Sequence, residues 1–498
     1  MRVSLRSPMP GFHKELFDIV DVFMGPVTRL EGEDDAADLR VTLAQRQEGS
    51  LRVCEASLSG RFKASAQARQ AVYGDALLIK RLHKRQLKLA LFDALVEATG
   101  IRPPWGALTG IRPTRLILDA MGEGLPLDQA AAQVQDIFRI SDEKTGLLKE
   151  IIAVQQGLPQ AGANEIACYI GIPFCASRCR YCSFISREAG DGRQLSAYVP
   201  ALIKEIAGTI ALMRARGLTA RSVYIGGGTP TVLDEQQLCQ VLEAARPLFE
   251  QALEVTVEAG RPDTITRGKL RAIAASGAGR ISVNPQSVHD ATLRAVGRDH
   301  TWSQTLAAFH QAREAGIPHI NMDLIAGLPG EDPAMFAHSL SQVLALSPEA
   351  LTVHTLSIKR SSDMRRYGDS LPSGQQVEQM VSLARARAAQ RGFAPYYIYR
   401  QKHMAGNLEN VGYAKPGFVC LYNLDMMEDQ TTVLAMGAGA VSKLVYPGRK
   451  CILRAPNVKD IAHYIARVGE MLERKHALFE GVGKGVRAPM EEAEDSED

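Results

Sequence analysis

The sequence lacks the excess of positive charge that usually accompanies nucleic-acid binding. Its 58 lysines and arginines are nearly balanced by 55 aspartates and glutamates, which leaves a formal net charge of +3. A composition that is 46% hydrophobic and 23% charged is typical of a soluble globular protein. We therefore expect no nucleic-acid partner.

Long apolar runs are also missing. The first twenty residues carry Pro10, His13, Lys14 and Glu15 where a signal peptide needs an unbroken hydrophobic stretch. No later stretch reaches the length that spans a bilayer. We expect a cytoplasmic protein without a membrane span.

One basic run, 80–85, stands out from this balanced charge, and it contains none of the aromatic residues that stack on bases. A solvated helix face and an RNA contact both remain open for it, and the sequence favours the helix face.

Cysteine is scarce, with eight in 498 residues. Five are scattered along the chain, at Cys54, Cys168, Cys239, Cys420 and Cys451. We expect these to be small buried hydrophobes in a reducing compartment rather than members of a disulfide framework.

The other three cysteines, Cys175, Cys179 and Cys182, form a C-x3-C-x2-C run that has no fourth thiolate. Three thiolates leave one iron of a four-iron cluster open, and a small molecule can chelate that iron and receive an electron. Three unligated thiols or an incomplete zinc site are the alternatives, although zinc sites normally pair two C-x2-C units. The spacing resembles the radical S-adenosylmethionine (radical SAM) signature, in which the aromatic before the last cysteine, here Tyr181, lies near the cofactor adenine.

Short apolar runs alternate with amphipathic helical stretches from about 168 to 392. The pattern predicts six strands, at 168–172, 222–225, 253–257, 280–284, 319–325 and 351–355. The fold class is therefore α/β, a partial (β/α)6 barrel resembling a TIM barrel, with its active site at the carboxyl ends of the strands.

Four regions follow from this pattern. We expect an N-terminal α+β region at 1–160, the barrel at 161–395, a mainly helical C-terminal region at 396–485 and a disordered acidic tail at 486–498.

Chemistry-bearing residues recur at the predicted strand ends. Gly226, Gly227 and Gly228, followed by Thr229, end the second strand and let backbone approach a ligand. Later strand ends carry the polar residues Glu258, Asn284, Gln286, Arg298 and Asp323. Carboxylates and amides there can bind ribose hydroxyls, and an arginine can pair with a carboxylate, so the set favours a nucleoside-bearing cofactor over isolated buried polar groups.

Several segments together resemble the oxygen-independent coproporphyrinogen III oxidase family. In the barrel these segments are 169–175, 226–231, 284–287, 297–298 and 323–330. The HemZ-type branch is resembled specifically by 105–115, 396–413 and 436–440. The resemblance spans nearly the whole chain except the acidic tail.

The resemblance implies a role for each matching residue. A 4Fe–4S cluster would be ligated by Cys175, Cys179 and Cys182, and S-adenosylmethionine (SAM) would be the second cofactor. SAM would be surrounded by Tyr181, Gly226, Gly227, Gly228, Thr229, Glu258, Gln286, Arg298 and Asp323. Tyr169 matches a tyrosine near the cluster, and Tyr169, Glu258 and Arg298 are the residues we expect to act in catalysis.

Two positions depart from the best-known branch of the family. Its histidine two residues after the tyrosine is Gly171 here, and its extra cysteine after the last ligand is Phe184. Both lie near the place where that branch accommodates its substrate or a second SAM. The resemblance therefore supports the cofactors more strongly than the substrate.

The implied reaction is an oxidative decarboxylation that turns two propionates of coproporphyrinogen III into vinyl groups without oxygen. The expected partners are this tetrapyrrole and an electron donor such as flavodoxin or ferredoxin. Three alternatives stay open: haem opening by radical methyl transfer, radical RNA modification, and a non-enzymatic haem-binding or haem-trafficking protein. No appended RNA-binding module or second cysteine cluster is evident.

For the substrate carboxylates, Arg400 and Lys402 beside Tyr396, Tyr397 and Tyr399 are the first choice. Arg112 and Arg115 are the second choice. Both sets could instead hold the domains together.

Overall fold

A computed structural model describes residues 1–30, 36–109, 112–182, 187–357, 370–401, 404–446 and 451–481. The chain forms two compact units. The first contains Met1–Glu150 and two short later segments around Arg400 and Leu408, and the second contains the rest of the described chain. The predicted boundary between barrel and C-terminal region stays a prediction.

The first unit is an α+β unit built on one five-stranded sheet in the order β2-β1-β3-β4-β5. The strands are β1 (Arg2–Arg6), β2 (Thr28–Leu30), β3 (Leu39–Glu48), β4 (Leu51–Gly60) and β5 (Ala64–Ala71). Its helices are α1 (His13–Met24), α2 (Ala76–Thr99), α3 (Pro113–Gly122) and α4 (Leu127–Phe138), and α5 (Asp142–Gln156) runs on into the second unit. Leu16 of α1 and Leu91 of α2 pack with Val41 and Leu43 of β3 in one buried cluster.

Two helices of this unit show how local chemistry sets element bounds. The Asp75 side chain caps α2 by accepting a hydrogen bond from the Leu78 N–H, and α2 ends at the left-handed Gly100. Helices α4 and α5 are separate, because Arg139 ends α4 in a left-handed conformation with φ of 59°. The predicted basic run lies on α2, where Lys80 and Arg81 are exposed.

The second unit contains the predicted barrel, whose six parallel strands all lie where the apolar runs indicated. The barrel strands are β6 (Glu165–Ile172), β9 (Thr219–Gly227), β10 (Glu254–Gly260), β11 (Arg280–Val283), β12 (His319–Ala326) and β13 (Ala350–Thr355). Between β6 and β9, the short strands β7 (Phe174–Cys175) and β8 (Arg187–Glu188) pair with each other. In the barrel β6 pairs with β9, and β9 to β13 then pair in sequence order.

At least one helix follows each barrel strand. The helices are α6 (Arg193–Ala215), α7 (Glu235–Phe249), α8 (Arg267–Ala275), α9 (Asp290–Ala295), α10 (Trp302–Glu314), α11 (Pro333–Ala345) and α12 (Gly374–Gln390). Asp234, Thr301 and Ser373 each form a capping box at a helix start. These caps fix where each loop at the carboxyl end of a strand gives way to helix.

The region after the barrel differs from the expectation of a mainly helical extension. Its described residues form five strands, β14 (Ala394–Tyr399), β15 (Asn410–Ala414), β16 (Val433–Met436), β17 (Val441–Tyr446) and β18 (Cys451–Pro456). Its helices are α13 (Leu421–Met427), α14 (Ile461–Ala466) and α15 (Val468–Glu480). The strands extend both edges of the barrel sheet, in the order β14-β15-β13-β12-β11-β10-β9-β6-β16-β17-β18. The region contains both strands and helices, because its short apolar runs form strands that pair with the two edges of the barrel sheet.

By length and composition alone, α6 is the one helix among the described residues that could cross a membrane. It has 23 residues, so the expectation that no stretch reaches such a length is not met. Of its most apolar window, 56% is buried inside the protein, and core helices pass the same test. Glu205, near its middle, is fully buried.

Candidate active site

The three clustered cysteines lie in the loop that follows β6. Cys175 is in β7, and a turn closes the later part of the loop through a hydrogen bond of 3.0 Å from Cys182 N to Cys179 O. All three cysteines are partly exposed. Among the described residues, no three His, Cys, Asp or Glu side chains are gathered as they would be around a bound metal ion.

The glycine run at the end of β9 lies against this loop. A Cβ on Gly227 would lie 2.7 Å from Ile172 O, and one on Gly228 would lie 2.4 Å from Phe174 O and 2.8 Å from Cys175 Sγ. Thr229 Oγ1 is 3.8 Å from the same sulfur. Only glycine permits this approach, which brings the backbone of β9 next to the first thiol.

Inside the mouth of the barrel, polar residues keep part of their surface exposed although their strand neighbours are buried. These residues are Tyr169, Tyr224, Glu258, Asp323, His354 and Tyr399. Strands covered on both faces normally carry apolar residues that are fully buried. The mouth of the barrel therefore contains a solvent-reachable space with polar walls, beside the thiols.

Glu258 stands next to the glycine run, since a Cβ on Gly226 would lie 2.8 Å from Glu258 Oε2. Burial and then the charge of Asp323 raise the pKa of Glu258 to about 7, and hydrogen bonds from Gly227 N–H and the Tyr224 hydroxyl only partly offset them. A carboxyl group with this pKa can release its proton near neutral pH when a cation arrives.

The pKa of Asp323 shifts in the opposite direction to that of Glu258. Burial alone would raise its pKa, but hydrogen bonds from His354 and Asn321 outweigh burial and lower the pKa of Asp323 below its ordinary value. Asn321 Nδ2 donates to Asp323 Oδ1 at 2.7 Å, and His354 Nε2 lies 3.5 Å from Asp323 Oδ2. On the far side of the ring, His354 Nδ1 is 3.3 Å from the Tyr399 hydroxyl. Asp323 is thus an oriented carboxylate that can accept hydrogen bonds from hydroxyls.

The amides of Gln286 and Asn284 follow β11. Gln286 has a left-handed backbone with φ of 65°, held by hydrogen bonds from Gln286 N to Asp323 O (2.9 Å) and from Ile325 N to Gln286 O (3.0 Å). In the described chain, Gln286 Oε1 and Asn284 Oδ1 are buried without a hydrogen-bond partner. Buried polar groups are rarely left unpaired, and strained backbone often marks functional sites. Both oxygens fit a ligand that carries hydrogen-bond donors.

Arg298 and Tyr181 are the site residues that lie near Cys179. Arg298 is buried, its Nη1 donates to Asn284 O at 2.6 Å, and its Nε has no partner among the described residues. It also interacts with the Cys179 side chain. Tyr181 packs against the apolar cluster of Val296, Ile325, Leu328 and Leu356. Such a surface fits a flat aromatic base beside a polar rim.

Tyr169 lies deeper in the barrel, in a group of three tyrosines. Its ring is stacked with Tyr224 at a centroid distance of 6.4 Å and with Tyr422 of α13 at 6.0 Å. Burial, and after it the charge of Glu258, raises the pKa of Tyr169. The phenol therefore keeps its proton and closes the space below Glu258. Its catalytic role stays a prediction.

Two site residues, Arg261 and His354, were missed by the sequence analysis. Arg261 follows β10 and contacts Ser177 in the cysteine loop, and His354 orients Asp323. Both are polar residues at the carboxyl end of a barrel strand, which is the position where site residues are expected. The sequence does not show what either residue contacts, so it could not distinguish a role in the site from a structural role.

The residues proposed for substrate carboxylates have other partners. Arg400 belongs to the first unit, where its Nη1 donates to Leu108 O at 2.7 Å and its guanidinium lies 4.9 Å from the centre of the Trp105 ring. Arg115 pairs with Asp119 at 3.1 Å. These contacts fit a structural role. Lys402 lies outside the described residues, as does Phe184.

The residues present fit an iron–sulfur cluster and SAM. Three thiols share one loop, a carboxyl with a pKa of about 7 adjoins the glycine run, and buried oxygens of Gln286 and Asn284 await donors. This donor set matches a cluster beside a cationic ligand that carries hydroxyls.

A six-stranded parallel barrel with a three-cysteine loop at its mouth is the architecture of a radical SAM protein. Residues 169–343 match the family model of the Radical SAM superfamily. The predicted fold class and both predicted cofactors, a 4Fe–4S cluster and SAM, are confirmed at the level of this superfamily.

Comparison over the whole length narrows the family. The chain is 35% identical over 484 residues to the oxygen-independent coproporphyrinogen-III oxidase-like protein HemZ of Bacillus subtilis (strain 168), covering 94% of this chain and 96% of HemZ. The chain therefore belongs to the HemZ family of oxygen-independent coproporphyrinogen-III oxidase-like proteins.

More distant relatives point to two activities. The heme chaperone HemW of Bacillus subtilis (strain 168) is 29% identical over 309 residues, which cover 61% of this chain and 76% of HemW. The solved structure of coproporphyrinogen III oxidase (HemN) from Escherichia coli, a radical SAM enzyme, matches with a TM-score of 0.50 and 25% identity over 62% of this chain and 70% of HemN.

Proposed function

We propose that the protein catalyses the oxygen-independent oxidative decarboxylation of coproporphyrinogen III, converting two propionates to vinyl groups to give protoporphyrinogen IX. One observation carries the proposal: Glu258 and Asp323 line the solvent-reachable space at the barrel mouth, and the glycine run beside Glu258 reaches the Cys175 thiol. Similarity to HemZ over 94% of the chain supports placing a porphyrinogen there.

Each site residue then has a task. The thiolates of Cys175, Cys179 and Cys182 hold the cluster. Glu258 and the backbone of Gly226–Gly228 hold the ammonium end of SAM, Asp323 and Gln286 accept hydrogen bonds from its ribose, and Tyr181 lies beside its adenine. When bound, the cluster and SAM would supply a radical that takes one hydrogen from the β-carbon of a propionate, after which the carboxylate would leave as carbon dioxide and one electron would pass to a one-electron acceptor.

The protein contributes positioning and the exclusion of water. Tyr169, Tyr224 and Tyr422 fill the barrel below the site, with Tyr224 and Tyr422 centroids only 4.7 Å apart. A reacting carbon held above this floor is fixed relative to the cofactors, which lowers the entropic cost of the reaction. A flavodoxin or ferredoxin is the proposed electron donor.

Gly171 stands where the best-known branch of the family has a histidine, and its surroundings leave little room for a side chain. Strand β16 pairs with β6 so that Met436 lies opposite Ile170. A Cβ on Gly171 would lie 3.0 Å from Tyr169 Cε1 and 3.3 Å from Met436 O. A histidine here would need its neighbours to shift, so the substrate must be held by other residues.

A haem-binding protein without turnover is the second candidate function, because HemW relatives named as heme chaperones match 61% of this chain. Haem opening by methyl transfer and RNA modification would use the same cluster and SAM residues, and no further observation on the described residues favours either. Decarboxylation changes the mass of the porphyrinogen, whereas haem binding without turnover leaves it unchanged.

Product mass under anaerobic conditions tests the proposal. Reconstituted protein is incubated with SAM, a reductant and coproporphyrinogen III. We expect a product that has lost carbon dioxide and two hydrogens for each converted propionate, and no such product with Cys179→Ala. Tight haem binding with unchanged porphyrinogen would support the chaperone alternative and contradict decarboxylation.

A further inference from the structure

Arg261, just after β10, is only 2% exposed, yet it joins two segments far apart in sequence. Its Nε and Nη2 donate to Asp263 Oδ1 at 3.0 Å and Oδ2 at 2.8 Å, a bidentate pair. Its Nη1 donates to Ser177 O at 2.9 Å and to Ser177 Oγ at 2.7 Å. One planar guanidinium thus connects the end of β10 to the middle of the cysteine loop.

Ser177 lies between Cys175 and Cys179, so Arg261 holds the segment that joins these two thiols. The later part of the loop has a separate anchor, because Arg180 N donates to Val296 O at 3.0 Å and Arg180 Nη1 to Ala295 O at 2.7 Å. Arg261 therefore anchors the segment between Cys175 and Cys179, together with a hydrogen bond of 3.0 Å from Arg178 N to Glu188 Oε1, and Arg180 anchors the later segment.

The Arg261 anchor acts through geometry more than through charge. Burial would raise the pKa of Asp263, but its hydrogen bonds and charge interaction with Arg261 outweigh burial and lower that pKa. Asp263 is therefore ionised and neutralises Arg261. Burial and the nearby Arg298 lower the pKa of His300 to about 3, so this ring, 3.9 Å from Asp263, adds no charge.

We propose that Arg261, oriented by Asp263, is a positioning residue that holds the cysteine loop at the spacing its thiolates need to bind the iron–sulfur cluster. The inference rests on the proposed cluster site and adds a residue that the family resemblance did not supply. A lysine cannot replace Arg261, because an ammonium lacks the planar fork that bonds a carboxylate and Ser177 together.

Iron retention without substrate tests this role. Wild type, Arg261→Lys, Arg261→Gln and Ser177→Ala are reconstituted anaerobically, and iron loss to a chelator is followed together with the thermal unfolding of each variant. Partners that orient metal ligands typically change metal affinity by about 10–100-fold, so we expect iron loss faster by about that factor in both Arg261 variants. Ser177→Ala keeps the bond to the backbone carbonyl and should show a smaller increase.

Arg267→Gln is the matched control. This exposed arginine of α8 lies outside the cysteine loop and pairs with Glu314 at 3.1 Å, so iron loss from the variant should equal that of wild type.

Folded Arg261→Lys and Ser177→Ala that both retain iron like wild type would overturn the proposal. If the Arg261 variants fail to fold, Ser177→Ala alone decides. Iron retention needs no porphyrinogen turnover, so the proposed function can fail while this inference stands, and a wild type that binds no iron would overturn both.

Discussion

At the scale of single residues, Glu258 and Asp323 differ although both are half-buried carboxyls at the barrel mouth. Glu258 faces the charge of Asp323 and its pKa rises to about 7, whereas Asp323 has His354 and Asn321 as donors and its pKa falls. Two acids with opposite shifts can hold two kinds of ligand group. Glu258 suits an ammonium and Asp323 suits hydroxyls.

The raised pKa of Glu258 predicts pH-dependent SAM binding. An ammonium binds the carboxylate and not the neutral acid, so below pH 7 binding must first remove a proton and affinity falls as pH decreases. We expect SAM to bind about tenfold more weakly at about pH 6 than at about pH 8. Glu258→Gln should bind weakly at both pH values. Equilibrium binding to reconstituted protein measures this, and equal wild-type affinity at both pH values would contradict the assignment.

The cluster cysteines give a second prediction at this scale. Cys175→Ala, Cys179→Ala or Cys182→Ala should each abolish the broad visible absorption and acid-labile sulfide of the reconstituted protein, because two thiolates cannot hold the cluster. Cys239→Ala, at an exposed position on α7, is the control and should change neither. Full iron and sulfide content in any of the first three variants would remove that thiol from the site.

Sequence alone could identify the thiols and the polar residues at strand ends, because their type and position are informative by themselves. It could not assign Arg261, whose role depends on Ser177, 84 residues away. It left two roles open for Arg400, because an arginine beside aromatics looks the same in sequence whether it binds a carboxylate or, as the contacts here favour, backbone carbonyls.

At the scale of elements, α6 ties the turn after β16 to the barrel through a buried polar cluster. Glu205 accepts hydrogen bonds from Gly437 N at 2.7 Å and Asn457 Nδ2 at 2.7 Å, and it also pairs with Lys475 and Tyr464. Two turns of helix earlier, Tyr198 donates to Gly171 O at 2.7 Å, at the end of β6. The cluster therefore fixes the barrel edge from which the cysteine loop starts.

Removing one partner of this buried pair should be costly. Glu205→Ala leaves the Lys475 ammonium without its counter-ion, in surroundings that already lower the pKa of Lys475 by burial. We expect a loss of about 3–5 kcal/mol in the free energy of unfolding. Arg467→Ala, which breaks an exposed pair with Glu470, should cost less than about 1 kcal/mol. Denaturant unfolding compares the two variants, and equal costs would contradict a stabilising role for the cluster.

The barrel strands were predictable because parallel strands covered on both faces are short, continuous apolar runs. The bounds of α4 and α5 were not, since their break rests on the backbone conformation of Arg139. The C-terminal region was misjudged because its strands become recognisable only when they pair with the edges of the barrel sheet.

At the scale of the whole molecule, the family fixes the cofactors while the residues around the substrate remain this chain's own. The solvent-reachable space at the barrel mouth is lined by polar residues and stacked tyrosines, and position 171, near the end of β6, carries no side chain. This arrangement supports one central claim, namely that the radical formed beside the three thiols removes hydrogen from a propionate.

Deuterium transfer tests that claim most directly. Coproporphyrinogen III deuterated at the β-carbons of its propionates is incubated anaerobically with reconstituted protein, SAM and a reductant, and the 5′-deoxyadenosine formed is analysed by mass spectrometry. We predict 5′-deoxyadenosine that carries deuterium, formed together with vinyl product and absent in Cys179→Ala. SAM cleavage that yields only unlabelled 5′-deoxyadenosine, or no cleavage at all, would contradict the claim.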